Sequence, residues 1–112
     1  MKVLFHVVEV EKWEDTLSNA RDIINEIPDA QVAIVCMSKA AEIFKKYSGI
    51  DFHGLIDSPR VKFIIGKAAL ENNNIKEEEL PSFVKVEKLV ITKIAKLENE
   101  GYAYIRLSLI HI

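Results

Sequence analysis

The chain has a single cysteine, Cys36. An intramolecular disulfide is therefore excluded, and so is a cysteine-based zinc cluster, which needs several thiolates. Four glycines are too few and too scattered to build a phosphate-cradling loop. Neither GxGxxG nor the P-loop pattern occurs: Gly66-Lys67 has no upstream glycine at the required spacing and no Ser or Thr behind it. No apolar run approaches the roughly 20 residues that cross a bilayer. An excess of charge of one sign is missing too, with 15 basic residues against 17 acidic ones and a net charge of -2. A sequence-independent grip on nucleic acid needs a basic face, and these lysines are dispersed along the chain. The histidines, His6, His53 and His111, show no HxxxH or His–carboxylate spacing on one element. No metal site and no cofactor are expected.

What is present is the composition of a folded domain. The 112 residues are 49% apolar and 29% charged, enough for one hydrophobic core but not two. A single domain over residues 1–112 is expected. Low cysteine usage fits a reducing cytosol, and a cytoplasmic location is expected. The opening MKVLFHVVEV has the length of a signal-peptide apolar region. His6 and Glu9 interrupt it and no small-residue cleavage site follows, so it reads as a strand leading into a helix.

Periodicity then sets the elements. Val3 to Val8 is a near-continuous apolar, β-branched run, the mark of a strand buried on both faces. Trp13, Leu17, Ala20, Ile24 and Ile27 recur at alternating spacings of four and three, which predicts an amphipathic helix stopped by Pro28-Asp29. Val32 to Val35 is a second strand. Ala40, Ala41, Ile43, Phe44 and Tyr47 predict a second helix closed by Ser48-Gly49. Residues 50–60 read as a loop with one helical turn at Leu55-Ile56. Val61 to Ile65 is a third strand, Lys67 to Asn72 a short helix, and Glu77 to Glu79 a solvated acidic turn. Phe83 to Val86 is a fourth strand. Val90 to Leu97 is a last helix ended by Gly101, and Tyr102 to Leu107 a fifth strand before an apolar tail. Strict alternation with short links predicts a three-layer α/β domain: five strands, a mainly parallel sheet, and helices on both faces.

Ligands of such sheets bind beyond the carboxyl ends of the strands. The residues to inspect there are Glu9 and Val10, Cys36 to Ser38, Gly66 and Lys67, and Glu87 and Lys88. Cys36 has two readings. Free cysteines are usually buried and inert. One near a helix start and a cation, here Lys39, can instead be a reactive thiolate. His6, inside the first strand, is either a hydrogen-bonded sheet residue or a titrating group facing a cleft. Gly66-Lys67 is either a turn or an anion site at a helix start.

Four stretches, in order, carry a family resemblance. KVLFHV looks like a first strand with its histidine. WEDTLSNARDIINEIPDAQVAIV is similar to a tryptophan-led helix and second strand. VKFIIGKAALENNNIKEEELPSFVKV is similar to a segment from the third strand to the fourth. ENEGYAYIR looks like a closing glycine–aromatic–Ala-Tyr-Ile-Arg motif. Together they resemble the DsrE/DsrF-like (YchN-like) family over nearly the whole chain. The resemblance implies a homotrimer or hexamer. It also implies a cleft built from His6, Asn19, Tyr104 and Arg106. Some members relay persulfide sulfur on a cysteine at the end of the third strand, and here that position is Gly66. Leu89-Val90 replaces a small-residue step, and Asp22 replaces an asparagine. The expectation is a non-catalytic oligomeric binding or accessory protein, taking a small anion or a protein partner at His6, Asn19, Gly66, Lys67, Tyr104 and Arg106. The alternatives are a sulfur carrier using Cys36, or a structural subunit that buries its tail from Leu107 to Ile112 between chains.

Overall fold

The structure, a computed structural model, describes residues 1–45 and 49–107. Five strands form one sheet: β1 (Lys2–Val7), β2 (Gln31–Cys36), β3 (Val61–Gly66), β4 (Val84–Glu87) and β5 (Ala103–Ile105). Their order is β4-β3-β2-β1-β5 and every pairing is parallel. Three α-helices connect them: α1 (Trp13–Glu26), α2 (Lys67–Asn72) and α3 (Val90–Asn99). The expected three-layer α/β architecture is present. Among the described residues no helix is long and apolar enough to cross a membrane.

The two faces of the sheet are covered unequally. On the first face the alternate residues Val3, Phe5 and Val7 of β1, Ile34 and Cys36 of β2, and Phe63 and Ile65 of β3 point into one core. Leu17 and Ala20 of α1, Ala40 and Ala41, and Leu70 of α2 pack onto them. Edge-to-face ring contacts link Trp13, Phe44, Phe52, Phe63 and Phe83 along this layer. On the second face Leu4, Ala33, Val35 and Ile64 meet Ile94 and Leu97 of α3 and Tyr102. Among the described residues α3 is the only α-helix there, because it carries the chain back across the sheet from β4 to β5.

Three expectations need correction. The second helix is not α-helical: Ser38–Phe44 is a 3₁₀ segment, and its predicted members Tyr47 and Ser48 lie outside the described residues. Ser38 enters it at φ 53. The Ser38 carbonyl accepts a hydrogen bond from Asn73 Nδ2 at 3.0 Å, and the Ala40 carbonyl accepts one from Trp13 Nε1 at 2.8 Å. These are carbonyls that an α-helix would aim at the amides four residues on. The fifth strand is also shorter than Tyr102 to Leu107, pairing with β1 only through Ala103, Tyr104 and Ile105. The fourth strand lies one residue later than expected, at Val84–Glu87. The tail beyond Leu107, with His111, lies outside the described residues.

Candidate functional site

The connections leaving β1, β2 and β3 run over the first face, and the one leaving β4 runs over the second. Neighbouring strands whose connections part in this way open a crevice at their carboxyl ends, the usual ligand position in open α/β sheets. Here it falls between β3 and β4, where Gly66 is paired with Glu87. The crevice is filled. A β-carbon at Gly66 would stand 2.9 Å from Val90 Cγ1 and 3.2 Å from Val90 Cβ, so the first residue of α3 occupies the space that a side chain on Gly66 would need. The backbone of Gly66 is ordinary extended chain, φ -74 and ψ 137. Glycine is required there by packing rather than by conformation. Lys67 is exposed on α2, whose six residues make too short a helix to concentrate positive potential at its start.

A second cluster forms at the carboxyl ends of β1 and β5. His6 shares the second face with Leu4, and Tyr104 is paired with Leu4 across the ladder. The Tyr104 hydroxyl lies 2.6 Å from His6 Nδ1, and Met37 Sδ, just past β2, lies 2.9 Å from His6 Nε2. A thioether can only accept, so Nε2 carries the proton and donates to sulfur, while Nδ1 accepts from the tyrosine O–H. In the neutral imidazole these contacts select the Nε2–H tautomer. Partial burial lowers its pKa from 6.5, and the Arg106 charge lowers it further. Arg106 follows β5 and faces Glu9, which follows β1, at 3.7 Å. That separation is beyond hydrogen-bond range, and the arginine side chain is 44% exposed, so the pair holds the guanidinium weakly. The result is a solvated cation beside a neutral, oriented imidazole and a tyrosine that is 42% exposed.

Of the site residues expected from sequence, His6, Tyr104 and Arg106 come together. Gly66 and Lys67 sit two strands away, roughly 10 Å at the usual strand spacing. Asn19 is elsewhere: it lies on α1, over the first face, with its amide donating to the Asp15 carbonyl at 2.8 Å. Glu9 and Met37, which the strand-end rule marks for inspection, join the cluster.

Cys36 projects into the core of the first face and is 2% exposed. Burial pushes its thiol well above the ordinary range, with no cation offsetting the loss of solvent. Among the described residues no three of His, Cys, Asp and Glu converge as metal ligands would.

No family model matches the sequence, and no curated protein matches it. The chain is similar to a solved structure, the protein of unknown function MTH1491 from Methanobacterium thermoautotrophicum. The two are 24% identical with a TM-score of 0.79, over 95% of this chain and 98% of that one. The likeness establishes the fold over almost the full length of both chains.

Proposed function

We propose that the chain is a DsrE/DsrF-like protein that has given up sulfur relay and acts as a non-catalytic binding protein, with a small anion held at His6, Tyr104 and Arg106. The observation that carries this reading is the cluster at the ends of β1 and β5. Arg106 has no hydrogen-bond partner among the described residues and one distant carboxylate, while the neighbouring imidazole is locked by Tyr104 and Met37. An anion of moderate size would replace Glu9 as the partner of Arg106 and lie beside the Tyr104–His6 pair.

Two features support the loss of relay chemistry. The position at which the resembled family carries its cysteine is Gly66, and Val90 occupies the adjoining space. Cys36 faces the opposite side of the sheet, buried and with its thiol proton held firmly, so it lacks the accessible thiolate that sulfur transfer requires. Incubation with a persulfide donor should add no sulfur to the intact mass of the folded protein.

The reading includes a homo-oligomer, a trimer or hexamer. Tyr104 and Ile105 are exposed on the short edge strand β5, and Ile91 is exposed on α3. Apolar groups on an open sheet edge favour contact with another chain. Sedimentation velocity checks this directly, and a monomer at micromolar concentration would contradict it. The binding claim is checked by thermal shift with inorganic phosphate, sulfate and short carboxylates. A ligand present at about 100 times its Kd should stabilise by about 2.7 kcal/mol, and Arg106→Ala should abolish the shift. No shift with any of these anions would overturn it.

A further inference from the structure

The chain carries more acid than base overall, yet its lysines gather on the second face beside β4. Lys62 alternates with Ile64 on β3, and Lys85 is paired with Ile64 from β4, so both strand lysines point to that face. A groove of about 360 Å³ runs between the end of β4 and the flank of α3, and Lys88, Lys93 and Lys96 line it together with Glu87, Leu89 and Thr92. Lys85 is paired with Glu87 at 3.5 Å. The ammonium groups of Lys62, Lys88, Lys93 and Lys96 have no acidic partner among the described residues. Leu89, at the mouth of the groove, is 65% exposed.

We infer that this groove docks a short acidic polypeptide segment carrying an aliphatic side chain. The lysines supply the complementary charge, and Leu89 supplies an apolar contact that water otherwise covers. A nucleic acid suits the groove less well. Its lining includes no aromatic ring on which a base could stack and no arginine to fork a phosphate. The inference is independent of the anion site at His6 and Arg106, which lies at the opposite, β5 edge of the same face.

The test is fluorescence anisotropy on the full chain with a labelled short peptide of glutamates flanking two leucines. The same peptide with serines for leucines and a labelled single-stranded DNA oligonucleotide are run beside it. The leucine peptide should bind at low salt, weaken as salt rises, and weaken on the order of tenfold in K93E/K96E. K93Q/K96Q should fall between the two, and Leu89→Ser should erase the preference for leucine over serine. Circular dichroism and the melting temperature establish that each variant is folded. Equal binding by wild type and K93E/K96E, no binding at low salt, or tighter binding of the DNA would overturn the inference. So would a change of assembly state in K93E/K96E, which would assign the groove to a second copy of the chain.

Discussion

At Gly66 a single added carbon would press on Val90 from 2.9 Å. Gly66→Cys should therefore destabilise the protein by about 1–3 kcal/mol, the usual cost of overfilling a packed site. Val90→Ala makes room, so the double variant should be more stable than the sum of the two single changes by about 0.5–3 kcal/mol. Urea unfolding of the four proteins measures the coupling, and strictly additive effects would mean that the two positions do not share that space. His6 gives the second prediction at this scale. A base whose pKa is lowered on folding binds protons more readily when unfolded. Its contribution to stability is complete above 6.5 and is lost as the pH falls below 6.5 through the lowered native value. Stability of the wild type should thus fall across that window, and His6→Gln should flatten the fall. Arg106→Ala should move the His6 titration, followed by NMR, back towards 6.5, because one of the two causes of the shift is removed. An unchanged titration would contradict the proximity of the two charges.

Among the elements, the 3₁₀ segment Ser38–Phe44 shows where sequence pattern stops being enough. Ala40, Ala41 and Ile43 are buried as the pattern expects. The pattern does not reveal that Trp13 and Asn73, from two other elements, would engage the carbonyls of Ala40 and Ser38. Those are long-range hydrogen bonds with no local signature. Arg60 is a similar case. It follows a loop, with nothing in its neighbourhood to mark it, yet its guanidinium donates to the carbonyls of Ile24, Ile27 and Ala30 at 2.8, 2.9 and 3.2 Å. It closes the carboxyl end of α1, where unpaired carbonyls and the negative end of the helix dipole both favour a cation. Arg60→Met should keep the aliphatic stem and cost about 1–3 kcal/mol in urea unfolding. A smaller loss would mean that water replaces the arginine without penalty. By contrast α1, α2 and the first three strands are legible in the sequence, while β4 and β5 are legible in place but not in extent. Their apolar spacing is local, and a strand buried on both faces leaves a near-continuous apolar run such as Val3 to Val8.

For the whole molecule, alternation of strands and helices announces a parallel sheet. The order β4-β3-β2-β1-β5 is not written in any one segment. That order decides the site. It brings β5 beside β1, so that Tyr104 and Arg106 meet His6 and Glu9 from almost 100 residues away in sequence. It also leaves Gly66 and Lys67 apart from them, and puts α1, with Asn19, over the other face. The carboxyl-end rule pointed to Glu9 and to the segment containing Met37, but not to how they combine. The lysine groove itself is lined by one local segment, Glu87 to Lys96, and what the sequence leaves hidden is the strand register that turns Lys62 and Lys85 to the same face.

The central claim is that the end of the β1–β5 pair binds an anion through Arg106. The direct test is a two-dimensional NMR titration of the isotopically labelled protein with inorganic phosphate and sulfate. The predicted result is a saturable set of shifts centred on His6, Glu9, Tyr104 and Arg106 and absent from Arg106→Ala. Saturable shifts confined to the lysine groove, or none at any concentration, would contradict the claim.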